Sequence, residues 1–467
     1  MHLVNSTTDW LKRISGLSFA LFFCSLTQAQ ENSPYSRYGL GDIVPNQNFV
    51  YRGMGGVSIA DAGTFNTNFK NPASLGNISN ARRTSMVFDV GGEIDIRTLR
   101  STSTTSKYTS TNTLISYLQV AFPILPKKLG KVLLTDKTPK YGWGLSFGLR
   151  PLTRINYKIE QNERLSGIDS LNTLYEGSGG LNQFNISSGF RINRLTFGVS
   201  TGYTFGNKDF STQLVFINDT VTYLKSNTQA KANFGGAFLN AGVQYQFRLQ
   251  KDRDNNSAKV NVGAYANFRQ EINAKQDKIN ETFAFDGTGS ISTIDTVSFV
   301  KQQKGTVVIP ATYGFGLNYE DKNRTWVTGI DFEFTQWKDY SYYKEKDLVQ
   351  NSWVIRAGAQ YDPATKSVSN KFWNFVTYRA GFYLGPDYVK LDKTRINYAA
   401  TLGATFRLTT PRLLGSSVDE KQQVLLHFSA EYGGRGNKQS FSFRENSLRF
   451  GFGLSMNAKW FQKRSYY

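Results

Sequence analysis

Cysteine, histidine and methionine are scarce in this chain: one, two and four among 467 residues. Cys24 and His2 lie in the first 29 residues, where Lys12 and Arg13 precede the short apolar run from Ile14 to Leu26. Thr27 and Ala29 then place small residues before Gln30, so residues 1–29 read as a cleaved secretory signal peptide. Phe23 argues against lipidation at Cys24, because that processing expects a small residue before the cysteine. With the leader gone no cysteine is left, which excludes disulfides and thiol chemistry. His427 is then the sole histidine, which excludes a histidine-rich metal centre and any paired-histidine motif. No zinc spacing, phosphate loop or dinucleotide fingerprint occurs, and we expect no metal, no cofactor and no enzymatic activity. A Ser/His/acid site would have to use His427, whose strand parity sets it beside Glu431. Long apolar runs are missing too: none of about 18 residues follows the leader, so no segment suits a spanning helix.

What is abundant points elsewhere. Glycine (42), tyrosine (25) and phenylalanine (35) dominate, and formal net charge is +20. Basic charge alone would suit a nucleic-acid binder, but an exported chain whose aromatic residues recur at period 2 suits a closed β-barrel, which spans a membrane by pairing every backbone group internally. Nucleic acid is therefore not an expected partner. Solvated loop charge, including Lys275, Lys278, Lys301 and Lys304, faces the outside, where outer-membrane lipid and lipopolysaccharide phosphates are candidate partners.

Fourteen segments alternate apolar with polar or glycine residues. The clearest runs from Tyr141 to Arg150, where Tyr141, Trp143, Leu145, Phe147 and Leu149 interleave with Gly142, Gly144, Ser146, Gly148 and Arg150. The others cover 84–98, 113–123, 184–192, 195–205, 237–247, 260–268, 307–317, 326–334, 353–361, 376–384, 396–408, 424–432 and 448–456. Asn193-Arg194 between two of them predicts a tight hairpin. An even strand number returns the chain to the side it entered, and long connections such as 158–175 and 269–306 predict extracellular loops opposite short periplasmic turns. Trp143, Trp326 and Trp373 mark one interface and Trp337 and Trp353 the other. The fold class is thus all-β, a transmembrane antiparallel barrel of about 14 strands in the outer membrane, with strands in 83–458 and a periplasmic tail at 459–467.

One stretch before the strands has neither a period of 2 nor of 3.6: Arg52–Leu75, rich in Gly, Ala and Asn. It makes residues 30–82 a candidate lumenal hatch. Arg52, Gly53, Gly55, Gly56, Ala60 and Asp61, followed by Asn71-Pro72-Ala73, resemble the hatch of the FadL family of long-chain fatty-acid transporters. The resemblance implies a fourteen-stranded barrel, a lumenal plug and passage of hydrophobic or amphipathic small molecules, with Arg52, Gly53, Gly55, Asp61, Asn71, Pro72 and Ala73 as gate residues. The opening Ser33–Gly39 and the ending Trp460–Tyr467 are similar to a branch of that family common in Bacteroidota, which includes PorV-like subunits of outer-membrane machines.

By parity the lumen wall presents Asp89, Glu93, Arg150, Asp331, Glu333, Arg356, Arg379, Arg407 and Glu431. Charges inside a barrel need partners, so these are candidate contacts to the hatch, or to the anionic head of a ligand held by Arg356 and Arg379. Two functions remain open: hatch-gated transport of fatty-acid-like molecules, or a docking role in an outer-membrane complex for protein secretion or outer-membrane protein assembly.

Overall fold

The computed structural model describes residues 33–63, 66–80, 85–101, 107–124, 140–165, 168–217, 223–249, 257–287, 291–363, 371–391, 394–408, 423–436 and 444–459. The predicted leader lies outside these ranges, and so does the predicted C-terminal tail except for Lys459, which ends a strand.

Fourteen antiparallel strands close a ring: β2 (Ser85–Arg100), β3 (Lys107–Pro123), β4 (Tyr141–Leu165), β5 (Ile168–Ile192), β6 (Leu195–Ile217), β7 (Lys225–Arg248), β8 (Lys259–Asn267), β11 (Thr312–Glu320), β12 (Trp326–Thr335), β14 (Ser352–Tyr361), β15 (Thr377–Pro386), β16 (Ile396–Arg407), β17 (Gln423–Arg435) and β18 (Arg444–Lys459). Closure is made by β18 on β2, in register from Arg444 opposite Arg100 to Lys459 opposite Ser85. A belt of outward side chains, among them Phe147, Phe197, Leu239, Phe315, Ile330, Phe382 and Leu402, is exposed, while the alternate residues are buried. Such an inverted surface is stable only against lipid. No described helix is long and apolar enough to cross a membrane.

Two predicted long loops are strands instead. β4 and β5 pair without a large break to Leu165 and Ile168, and β9 (Gln270–Phe285) and β10 (Ile291–Ile309) form a hairpin standing above β8 and paired to the far half of β7. Beyond the membrane both faces meet water, so alternation disappears while backbone pairing continues. The predicted strand 307–317 is divided: β10 ends at Ile309, where Val307 and Val308 pair with the two-residue β13 (Ser341–Tyr342), and Pro310, which has no N–H to donate, stands before β11. Asn193 takes φ 56° in the tight turn joining β5 and β6.

We call the end carrying this collar the loop end and the opposite one the turn end. The N-terminal segment begins at the loop end and descends through the lumen to enter β2 at the turn end. Its first part fills an opening in the wall. β3 pairs with β4 only from Leu118 opposite Leu149 to Pro123 opposite Gly144. Past that point the β4 edge is taken by Val44 N donating to Leu152 O (3.0 Å), by β1 (Asp42–Ile43) opposite Arg154 and Thr153, and by Ser33 N donating to Asn156 O (3.0 Å).

Candidate functional site

Residues 33–47 close the loop end. Leu40 packs with Trp337, Tyr340, Tyr388, Val389, Ile272 and Val307 in the largest apolar cluster among the described residues. Trp337 is therefore a core residue, 5% exposed and stacked on Tyr388 at 4.3 Å, and no part of an interfacial belt. Its place after Thr335, where the chain leaves β12 and turns inward, explains why strand parity misplaced it. The backbone of this cap is pinned by side chains: Gly39 N donates to Asp347 Oδ2 (2.6 Å), and the Tyr340 hydroxyl donates to Gly39 O (2.9 Å).

Below it residues 48–80, which we call the hatch after the expectation from sequence, pack inside the ring. A short helix, α1 (Phe49–Arg52), is capped by the Asn48 side chain, and Pro72 starts a 3₁₀ segment reaching Asn80. Asn71 explains the Asn-Pro-Ala signature. Its Nδ2 donates to Ile59 O (2.8 Å), Ala264 O (3.3 Å) and Val243 O (3.4 Å), and its Oδ1 accepts from Ala73 N (3.1 Å). One side chain thus joins two turns of the hatch to β7 and β8.

The wall meets the hatch through glycines. A Cβ added to Gly198 would stand 2.4 Å from Pro72 C, and one on Gly242 2.0 Å from Asn71 Oδ1. Equivalent collisions arise at Gly144 with Leu75 O, Gly263 with Ile59 O, Gly358 with Met54 O and Gly381 with Gly55 N. No other residue lets a strand approach another backbone so closely. Strand parity marks these glycines merely as non-apolar, and likewise Asn240, Gln244 and Thr401, which bond to Lys70 O, Ile59 O and Gly55 N. One inward glycine recurring in strand after strand was the available signal.

The gate and wall residues expected from sequence meet as follows. Gly55, at φ +71°, donates its N–H to Thr401 Oγ1 (2.8 Å), and Gly53 abuts Gly403. Asp61 accepts from the Tyr51 hydroxyl (2.6 Å), and burial raises its carboxyl above the usual range. Asp89 accepts from Asn48 and Thr67, and Asp331 Oδ2 accepts from Ser58 N and Ile59 N (2.7 and 3.0 Å). Glu333 joins Lys70 and Arg356 and accepts from Tyr265 (2.6 Å). Arg150 donates to Gln183, and Arg407 to Asp362. Arg379 bonds Gln360 and Thr405 towards the turn end, whereas Arg356 lines a chamber on the other side of the hatch, so the two do not combine in one ligand site. His427 is bonded to Thr405 Oγ1 and Ser455 Oγ, while Glu431 is committed to Arg449, Arg52 and Tyr383. The imidazole and that carboxylate therefore make no dyad.

Between cap and hatch lies a chamber of about 290 Å³. One continuous ion-pair network borders it: Arg154–Glu93–Arg52–Glu431–Arg449–Asp95–Arg97–Asp42–Arg435–Asp387–Arg395, with Glu445 shared by Arg97 and Arg435. Six guanidinium groups meet six carboxylates, and the network ties hatch (Arg52) and cap (Asp42) to β2, β17 and β18. Burial alone would raise the Asp42 carboxyl, but Arg97 and Arg435 hold it well below its ordinary value of 3.8. Lys70, at the chamber floor, has its ammonium lowered to about 8 by burial first and by Arg356 second, against the pull of Glu333.

Among the described residues no group of three or more His, Cys, Asp and Glu side chains is arranged to hold a metal ion. The family model described as BamG matches residues 11–467. No curated protein sequence matches the chain. Among solved structures it is similar to the Pseudomonas putida toluene transporter TodX, at 15% identity and a TM-score of 0.51 over 90% of this chain and 100% of that one. It is also similar to a Pseudomonas aeruginosa FadL homologue, at 13% identity and a TM-score of 0.52 over 90% and 99%. At such identity the likeness concerns the fold alone, a closed antiparallel barrel of FadL type.

Proposed function

The chain belongs to the BamG family, and on that premise we propose that it is a sealed outer-membrane barrel serving as a docking subunit of a larger assembly, of the kind that secretes or inserts proteins. The observation that carries this reading is the double closure of the lumen. The hatch backbone is pressed into wall glycines from several strands, and the cap adds a second apolar seal above the chamber. Opening either would strand buried hydrogen-bonding groups, each at a cost of about 1–3 kcal/mol, and would break a buried twelve-membered ion-pair network.

The collar supports docking. β10 pairs with β9 along one edge from Ile291 to Gly305, and among the described residues no strand pairs with its other edge over 291–302, while Ile294, Val297, Phe299 and Val300 stand exposed above the membrane, Val297 at 69%. A long free edge bearing apolar side chains is a hazard unless a partner covers it. The Ser33–Gly39 opening, which carries the PorV-like resemblance, builds the cap.

A second reading, uptake of hydrophobic or amphipathic molecules, is favoured by one observation: the break between β3 and β4, filled among the described residues by the N-terminal segment, is a portal between lumen and bilayer if that segment withdraws. Purification from native membranes in mild detergent separates the readings. We expect stable co-purification with other outer-membrane proteins and no flux of toluene or oleate into liposomes above that of protein-free vesicles. A solitary barrel that carries bound lipid and conducts such molecules overturns the docking proposal.

A further inference from the structure

The charge inside the barrel is balanced in one half and unbalanced in the other. The network beneath the cap matches six guanidinium groups with six carboxylates, as described. On the hatch side of the chamber Lys70 and Arg356 share the single carboxylate of Glu333, and Arg150 has an amide, Gln183, as its hydrogen-bond partner there. Asp331 is close by, but its Oδ2 is engaged by two hatch N–H groups.

Where charge is in excess, donors are left over. Arg150 is 8% exposed, lines the chamber, and its Nε and Nη1 make no hydrogen bond among the described residues. Arg356 Nη1 and Gln47 Nε2 line the same chamber and are likewise unsatisfied; Gln47 is 6% exposed. The Arg356 and Gln47 side chains approach one another across Gly56: a Cβ there would stand 3.2 Å from both Gln47 Nε2 and Arg356 Nε, and φ of +85° keeps the position glycine. The Phe69 ring lies 5.4 Å from the Arg150 guanidinium and shields it from below. Buried guanidinium N–H groups without an acceptor are costly.

We propose that this chamber binds a tetrahedral oxyanion of the phosphate class, held by Arg150 from β4, Arg356 from β14 and Gln47 from the N-terminal segment. Donors approaching from three separate elements suit an anion with three or four oxygens better than a flat carboxylate, which one guanidinium fork satisfies. The volume fits: roughly 10–15 Å³ holds one water, so the chamber admits a multi-atom guest. Ile43 and Val44 line it and also fill the break between β3 and β4, with Ile43 45% exposed, so the N-terminal segment is the nearest barrier between chamber and bilayer. The bound anion ties the N-terminal segment to opposite walls, whether the barrel docks or transports.

The test begins with full-length protein purified without phosphate and titrated with sodium phosphate at constant ionic strength while unfolding is followed. Phosphate and sulfate should raise the midpoint and chloride should not. Arg150→Gln should weaken the phosphate response at least tenfold, and Arg150→Lys should restore part of it. Phosphorus analysis of extensively washed protein, before and after chloroform–methanol extraction, distinguishes a lipid phosphate, which leaves with the solvent, from a free one, which stays. Equal responses of wild type and Arg150→Gln, or no response to phosphate beyond that to chloride, overturn the proposal. If Arg150→Gln does not fold, Gln47→Ala takes its place: phosphate stabilises folded proteins by exclusion as well, so a weaker phosphate response in the variant supports the site and a response equal to wild type overturns it.

Discussion

Gly242 shows how much one missing methyl group controls. Its Cα faces Asn71, and any Cβ would overlap Asn71 Oδ1. Gly242→Ala should therefore displace the Asn-Pro-Ala turn and lower stability by about 1–3 kcal/mol, as overpacking does. Gly287→Ala is the control, because nothing lies within 4 Å of that position. Urea unfolding of both variants in the same detergent checks this, and equal midpoints would mean that the glycine contacts do not hold the hatch. Asn71→Ala removes a donor that serves three carbonyls. Its expected cost is again about 1–3 kcal/mol, together with faster amide exchange at Ile59–Asp61.

The cap behaves as one element and depends on Asp42. Its carboxylate is depressed in the folded protein, so the stability it supplies is fully present above the ordinary value of 3.8 and is lost as pH falls below it. Hydrogen exchange of residues 33–44, corrected for the intrinsic pH dependence, should stay slow from pH 7 to 5 and accelerate as pH falls below about 4. Asp42→Asn should give the fast rate already at pH 7, because removing one partner of a buried pair costs about 3–5 kcal/mol. A rate in that variant equal to wild type would remove the cap's dependence on Arg97 and Arg435. The strands themselves were legible in sequence because lipid on one face and water on the other impose a period of 2; all fourteen were found this way. The collar was not, since Asn, Thr and Lys on both faces of Ile168–Gly177 or Ile291–Lys304 look like loop although their backbones pair. Asn71, Pro72 and Arg52 stand out in sequence as a non-periodic stretch, whereas the cap does not, because it is assembled by contacts between residues far apart in the chain, Tyr340 with Gly39 across 301 positions and Tyr388 with Tyr38 across 350.

At the scale of the whole molecule, two closures in series make conductance a sharp probe. In planar bilayers wild type should show no ion current above baseline. Asp42→Asn alone should remain silent because the hatch still seals, and Asp42→Asn combined with Gly242→Ala should conduct. Current from wild type would mean that the lumen is open despite the packing described.

The path of the N-terminal segment also dictates the order of assembly. It runs the length of the lumen before the first barrel strand begins, and the glycines around it leave no clearance for threading. It cannot be inserted into a finished cylinder. The segment must lie in place while β2 and β18 are still apart, so that the wall is wrapped around its own stopper and the last seam to zip traps it.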